Sequence, residues 1–212
     1  LKKENMSALI KGMINLERHI NNMKKFGVPV TVAINKFVND TRKEENAVID
    51  FCKSMGIKAN LCTHWSDGGK GTKDLAKTVV ELSSKKNNKF KYLYDSKLPL
   101  FKKIEKIATE LYKASEVVAD TKIRSQLKEF ESMGYKNLPI CIAKTQYSFS
   151  TDPNLKGAPT DHVMQIRGLR LSSGAEFIVV FCGSINTMPG LPKVPAAENI
   201  KLNSNNEIEG LF

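Results

Sequence analysis

Short apolar runs separated by amphipathic stretches constrain the fold of this chain more than any other feature. The runs at 28–34, 57–62 and 138–143 are too short for buried helices, and the first is rich in β-branched residues. Such runs are typical of strands buried in a parallel sheet. Strands that alternate with helices indicate an α/β domain. We therefore predict an α/β fold with a mostly parallel sheet flanked by helices.

Helices are predicted between these runs from periodicity and end signals. In residues 5–26 apolar side chains recur at helical spacing, and Gly27 and Pro29 follow as stop signals. Residues 40–44 carry a capping-box signature for the next helix, which Gly56 ends. Further helices are predicted over 71–83, 97–113 and 119–133, and the apolar face of the first helix comprises Met6, Leu9, Ile10, Met13, Leu16, Ile20 and Met23.

The final third of the sequence predicts a change in the sheet. Residues 163–171 alternate in polarity and residues 176–182 form an apolar run, with no helix between them. Two strands so close in sequence cannot be joined by a parallel crossover, so the sheet could be mixed. Residues 148–161 are rich in Ser, Asp, Pro and Gly, which predicts a loop.

Composition is that of an ordinary globular protein, with 41% hydrophobic and 26% charged residues. No apolar run approaches the roughly 20 residues that span a bilayer, and no signal peptide is visible. We therefore predict a cytoplasmic protein with no membrane partner. The cysteines are widely spaced, which gives no zinc or disulfide pattern and predicts buried, reduced thiols and no metal site. They are Cys52, Cys62, Cys141 and Cys182.

The net charge of +11 favours anionic partners. Nucleic acid is a weak candidate, because the lysines are scattered over predicted helices and no nucleic-acid-binding motif is present. A lysine-rich solvated surface accounts for most of these charges. Phosphates and polycarboxylates remain as predicted ligands.

Polar and aromatic residues follow each predicted strand. Ligands of open α/β sheets bind beyond the carboxyl ends of parallel strands, which would form one ligand rim. Such a rim suits a flat, polar, anionic ligand. Taken alone, Phe37 is more typical of a core residue, Trp65 in its glycine-rich loop of a binding or interface residue, and His64 of a hydrogen-bonding loop residue. The candidate pocket residues are Phe37 and Trp65, then Asn35, Thr63, His64, Lys70, Lys144, Thr145, Tyr147, Thr187, Pro189 and Gly190.

Two nucleotide-binding motifs are incomplete. In residues 66–72, Gly71 follows Lys70 where a P-loop requires Ser or Thr, although the backbone there could still bind an anion. In the Asn-Lys-Phe-Val sequence at 35–38, Val38 replaces the aspartate that would read guanine. No Ser/His/Asp or Cys/His pattern is present either. We predict no catalytic residue within this chain.

Five segments carry a family resemblance. They are KFGVPVTVAINKF at 25–37, CTHWSDGGKG at 62–71, NLPICIAKTQYS at 137–148, TMPGLPKVP at 187–195 and GLF at 210–212. In this order they resemble the formate–tetrahydrofolate ligases, including the synthetase portion of larger eukaryotic folate enzymes. The resemblance covers nearly the whole chain.

The resemblance implies ATP-dependent joining of formate to tetrahydrofolate, giving 10-formyltetrahydrofolate, ADP and phosphate through formyl phosphate. It implies that ATP with magnesium and tetrahydrofolate are substrates of the complete enzyme, a homo-oligomer when full length, and that no cofactor binds tightly to this chain. Family members hold the pterin between a phenylalanine and a tryptophan, which fall at Phe37 and Trp65. The basic charge suits polyglutamylated folate.

The resemblance has one gap. The family's P-loop, and the arginine thought to hold formyl phosphate, lie in an N-terminal half with no counterpart in this sequence. We expect residues 27–212 to be the C-terminal folate-binding part, and residues 1–26 to be a helix that belongs to or packs on the missing N-terminal domain. The chain alone is predicted to lack ligase activity. The alternatives are a catalytically silent folate-binding or regulatory module and, more weakly, a basic nucleic-acid-binding protein.

Overall fold

A computed structural model describes residues 3–85, 89–187, 190 and 192–211. Helices and strands alternate through most of this part of the chain, which confirms the predicted α/β class. The elements are α1 (Met6–Lys25), β1 (Thr31–Asn35), α2 (Arg42–Ser54), β2 (Lys58–Cys62), α3 (His64–Asp67), α4 (Lys73–Ser83), α5 (Leu100–Ile107), β3 (Glu116–Val118), α6 (Thr121–Ser132), β4 (Ile140–Ala143), β5 (Val163–Ser172), β6 (Phe177–Cys182), β7 (Lys201–Leu202) and β8 (Ile208–Glu209).

The strands of the described residues form separate sheets. β1 and β2 pair in parallel, with Thr31 opposite Lys58 and Asn35 opposite Cys62. A four-stranded sheet has the order β3-β5-β6-β4, in which β4 and β6 are parallel and β5 and β6 antiparallel. The sheet is therefore mixed, as the close spacing of β5 and β6 indicated. The single rim expected from the sequence is divided, because β1 and β2 hydrogen-bond each other and no strand of the larger sheet.

Helix ends follow the sequence signals closely. Thr41 and Glu44 form the predicted capping box at the start of α2. Gly27 ends α1 with a φ of +70° and packs against the backbone of Lys89, whose carbonyl oxygen would lie 2.0 Å from an added Cβ. Only glycine fits this crossing. The helix expected over 97–113 is α5 followed by a π-helical turn, Ala108–Tyr112.

The main core lies between α5, α6 and the four-stranded sheet. Leu100, Ile104, Met164, Ile178 and Val180 are completely or almost completely buried there. A much smaller core lies beside β1 and β2, and its buried members are Ile20, Cys52 and Ile57.

Three of the four cysteines are buried as predicted, and all four are free thiols. The prediction is wrong for Cys141, which is exposed. It lies on β4 between Ile140 and Ile142, which pack on the main core, so the alternation of side chains along the strand directs its thiol to the other face.

Helix α1 is only partly covered. Met13 and Ile20 of the predicted apolar face are buried, whereas Ile10 and Met23 are 59% and 47% exposed. In the described part of the chain, no helix is both long and apolar enough to cross a membrane.

Candidate functional site

Phe37 and Trp65, here called the aromatic site, lie side by side beyond the small parallel sheet. β1 and β2 run in the same direction and end opposite each other, so both chains leave the sheet at one edge. The Lys36 N–H donates to the carbonyl of Cys62 at 2.9 Å, which keeps the two exits together. The rings face each other with centroids 6.2 Å apart and planes tilted by only 20°.

Both rings of the aromatic site are exposed, Phe37 by 58% and Trp65 by 55%. Phe37 is therefore not a core residue. The Trp65 Nε1–H donates to the Lys36 carbonyl at 2.8 Å, and the Phe37 N–H donates to Oδ2 of Asp40 at 2.7 Å. These bonds orient the rings from their backbone side, and both residues remain more than half exposed.

Lys36 is anchored through its side chain as well. Its Nζ lies 2.5 Å from Oε1 of Glu45, a buried carboxylate in the first turn of α2. The backbone that precedes Phe37 and receives the Trp65 indole is thus fixed to α2. This ion pair touches neither ring, but it is held by the residue whose carbonyl accepts from the Trp65 indole.

The glycine-rich segment after Trp65 is a 3₁₀-helical turn, Gly68–Thr72. The Thr63 N–H donates to the Gly71 carbonyl at 3.1 Å, and the Thr63 hydroxyl donates to Asp67 at 2.5 Å. A Cβ on Gly71 would lie 2.5 Å from the carbonyl carbon of Thr63, so this return requires glycine. Among the described residues, the exposed side chains of His64 and Lys70 make no hydrogen bond or ion pair.

A second candidate region, the basic cavity, lies at the carboxyl end of β4. It has a volume of about 270 Å³ and is lined by residues that include His19, Tyr112, Lys144, Thr145, Gln146 and Ser148. Lys144 Nζ donates to the carbonyls of Thr145, at 3.0 Å, and Ser148, and lies 5.0 Å from the centre of the Tyr112 ring. Burial lowers the pKa of Lys144.

The predicted pocket residues therefore fall into two groups. Within the described residues, no hydrogen bond, ion pair or ring contact joins the aromatic site to the basic cavity. Asn35, Thr63, His64 and Lys70 lie with Phe37 and Trp65, whereas Lys144, Thr145 and Tyr147 belong to the basic cavity. Thr187 and Gly190 are exposed and join neither group through a bond, and Pro189 lies outside the described residues.

Comparison with known sequences supplies the family. The sequence profile described as formate–tetrahydrofolate ligase matches residues 1–212, the whole chain. The chain belongs to the formate–tetrahydrofolate ligase family.

Relatives in this ligase family are similar throughout the chain. A formate–tetrahydrofolate ligase from Pelagibacter ubique (strain HTCC1062) is 66% identical over 212 residues, and one from Ruegeria pomeroyi is 57% identical. A third, from Sinorhizobium fredii, is 55% identical. Each alignment includes 100% of this chain, which spans 38% of the relative's length.

Sequence reasoning missed three residues that hold the aromatic site of this ligase-family chain: Lys36, Asp40 and Glu45. Asp40 closes a turn with Phe37, since its own N–H also donates to the Phe37 carbonyl at 3.1 Å, and aspartate is a common turn residue that could have been found. Glu45 gives no such signal, because an acidic residue in the first turn of a helix is normally solvated. Its burial against Lys36 is a tertiary contact.

The described residues provide no grouping of three or more His, Cys, Asp or Glu that could hold a metal ion.

Proposed function

We propose that this chain forms the tetrahydrofolate side of a formate–tetrahydrofolate ligase active site, with Phe37 and Trp65 binding the two faces of the pterin. The complete enzyme would join formate to tetrahydrofolate with ATP, giving 10-formyltetrahydrofolate, ADP and phosphate through formyl phosphate. The main support for this proposal is the aromatic site itself, where two exposed rings face each other at a tilt of 20°. Membership of the ligase family supports the same assignment.

The spacing of the rings suits a flat ligand. Aromatic atoms in contact are about 3.5 Å apart, so a ring stacked on both sides needs about 7 Å between its neighbours. The centroids of Phe37 and Trp65 are 6.2 Å apart, which is within the range of offset stacking of the two rings and slightly too close for an inserted ring. A small rotation of either exposed side chain supplies the difference. Stacking adds to the free energy gained by burying apolar area.

We assign phosphoryl transfer to the part of the ligase that lies outside this chain. The chain has no P-loop sequence, and it spans 38% of the length of its relatives. The exposed Ile10, Ile14 and Met23 of α1 offer an apolar surface on which the remaining ligase could pack. The chain alone is proposed to bind tetrahydrofolate without forming product.

The binding test uses the only tryptophan in the chain, Trp65. Titration with tetrahydrofolate should change the Trp65 fluorescence saturably, and Phe37→Ala should weaken binding about 10- to 100-fold, the usual loss for one aromatic stacking partner. Calorimetry measures the same constant for Trp65→Ala. Tyr92→Ala is the matched control, because Tyr92 is 82% exposed and lies outside the aromatic site. Unchanged affinity in both aromatic-site variants would refute the assignment.

The activity test uses a chimera. This chain replaces the matching 38% of the Pelagibacter ligase, and formate- and tetrahydrofolate-dependent ADP release is measured for the chimera and for the chain alone. We expect activity in the chimera only. Activity in the chain alone would contradict the proposal that this chain binds tetrahydrofolate without forming product. A folded chimera that binds tetrahydrofolate but releases no ADP would favour a silent folate-binding module.

A further inference from the structure

The basic cavity carries a cluster of nitrogen bases without acidic partners. Lys144 and His19 line it, and the Arg18 guanidinium lies against two further lining residues, donating to the Tyr112 carbonyl and standing 5.3 Å from the centre of the Phe149 ring. His162 is not a lining residue, but the charge of Lys144 lowers its pKa. We propose that the basic cavity is a binding site for an oxyanion, a phosphate or a carboxylate group, distinct from the aromatic site. The proposal does not require that Phe37 and Trp65 bind a pterin.

The positive charge of the cavity is not neutralised by a carboxylate. Within the described residues, Arg18, His19, Lys144 and His162 form no ion pair. The Arg18 guanidinium instead donates to the carbonyls of Tyr112, Pro159 and Ala158, and its charge remains. The acids whose charge raises the pKa of these groups are sequence neighbours, Glu17 for Arg18 and Asp161 for His162.

The pKa values of the two histidines show the same excess of positive charge. The pKa of His19 is lowered by partial burial and then by the charge of Lys144. The pKa of His162 is lowered by burial, then by Lys144 and Arg18, and only weakly raised by Asp161. Both ring nitrogens of His162 are buried without a hydrogen-bond partner. The charge of Lys144 disfavours the imidazolium form of both histidines, so an anion bound beside Lys144 would reduce this repulsion.

The cavity also contains hydrogen-bond donors that are free to bind. Lys144 uses two of its three N–H bonds on carbonyls, which leaves one. The Thr145 oxygen accepts from the Tyr147 N–H at 3.3 Å, so its own hydroxyl hydrogen remains available. His19 makes no hydrogen bond through its ring among the described residues. A volume of about 270 Å³ accommodates a phosphate or carboxylate together with water.

The site lies where a ligand is expected. β4 and β6 are parallel neighbours, and the cavity is beyond the carboxyl end of β4. The loop that forms its wall is held by its own hydroxyls: Ser148 Oγ donates to the Leu155 carbonyl, and Ser150 Oγ donates to that of Asp152 at 2.8 Å. A wall fixed in this way can present donors without a large ordering penalty on binding.

Proton NMR of the histidine rings tests the proposal directly. The chain has three histidines, His19, His64 and His162, and His→Gln variants assign their signals. Titration with inorganic phosphate should move the signals of His19 and His162 saturably and leave that of His64 unchanged. Glutarate, a dicarboxylate, is titrated in parallel. Saturable shifts with either ligand support the site, and the stronger ligand identifies the source of the oxyanion.

Substitutions then locate the binding. Lys144→Met and His19→Gln should each weaken binding about tenfold or more, as expected for the loss of a charged or directly bonded donor. Lys156→Met is the matched control, because Lys156 is an exposed lysine of the same loop region outside the cavity. Lys144 also donates to carbonyls of the loop, so its substitution could unfold the loop. The His19 side chain makes no hydrogen bond to the loop among the described residues, so His19→Gln keeps the test decisive in that case. No saturable shift, a shift of His64 alone, or full binding in His19→Gln would overturn the proposal.

Discussion

The aromatic site and the basic cavity are both built at the carboxyl ends of parallel strand pairs, yet they differ in support and in chemistry. The aromatic site is on a two-stranded sheet with a small core, and its rings are exposed. The basic cavity is on the four-stranded sheet with the main core, and Thr145, Ser148 and Ser150 in its wall are buried. The same strand-end position can thus offer open stacking surfaces or a rigid, charged recess, depending on the sheet beneath it.

The largest expected effect is on the core that supports the basic cavity. Ile104 is completely buried in the main core, so Ile104→Ala should lower the free energy of unfolding by about 2–5 kcal/mol. Ile57→Ala in the smaller core should lie near or below the lower end of this range. Urea unfolding followed by far-UV circular dichroism measures both. A greater loss in Ile57→Ala than in Ile104→Ala would break the comparison of the two cores.

A smaller effect is expected at the glycine turn beside the aromatic site. In Gly71→Ala the added Cβ would meet Thr63 at 2.5 Å, so the turn must shift, at a cost of about 1–3 kcal/mol. Because Thr63 precedes His64 and Trp65, tetrahydrofolate affinity should fall too. Gly69→Ala in the same turn is the control, since nothing lies within 4 Å of its added Cβ. Equal affinity in the two variants would contradict a role for this turn in placing Trp65.

The next effect concerns the ion pair behind the aromatic site. Glu45→Gln leaves Lys36 without its buried carboxylate, and we expect a loss of about 1–3 kcal/mol, between the values typical of exposed and fully buried pairs. The near-UV circular dichroism of Trp65 should weaken, because its indole donates to the Lys36 carbonyl. Glu81→Gln removes the exposed pair with Lys58 and serves as the control. An unchanged Trp65 spectrum in Glu45→Gln would separate the ion pair from the aromatic site.

The smallest effect is a pH dependence at a contact between α1 and the π-helical turn. The hydrogen bond from Lys25, and then that from Lys106, lowers the pKa of Glu110 from 4.5 to about 2. Since the folded chain favours the carboxylate, this stabilisation is fully present above pH 4.5 and is lost as the pH falls toward 2. About a third of the Glu110 side chain is exposed to solvent, which screens the contact, so less than about 1 kcal/mol is expected.

Urea unfolding across this pH window measures the contribution of Glu110. Glu110→Gln should flatten the pH dependence of the unfolding free energy, whereas Glu129→Gln, at an exposed residue without an ion pair among the described residues, should leave it unchanged. If the unfolding free energy of Glu110→Gln depends on pH as strongly as that of the unmodified chain, other carboxylates account for the dependence.

Local features of the fold were predictable from sequence. The capping box at Thr41 and Glu44, the stop at Gly27 and the apolar runs of β1, β2 and β4 depend on neighbours in the chain, and each was located to within a few residues. Phe37 and Trp65 were expected at a common rim because each follows a predicted strand, and the structure places their rings side by side.

Long-range features were not predictable in this way. Which strands share a sheet depends on pairing between distant segments, so the division of β1 to β6 into two sheets was missed. The three-residue β3 is too short to give a periodic signal, and it exists because β5 lies beside it. Arg18 meets Ala158 across 140 residues, so no sequence window could link it to the basic cavity.

Helix α1 has a structural role at the π-helical turn after α5 that its length and polarity do not suggest. Carbonyls of this turn accept from Lys25 at Glu110, from Asn22 at Leu111 and from Arg18 at Tyr112, so one helix is finished by side chains of another about 90 residues earlier. A domain boundary directly after residues 1–26 would therefore separate α1 from the turn that it caps, whatever else α1 packs on. A module transplanted into another protein should begin before α1, because a cut after it would leave a helix end without its cap.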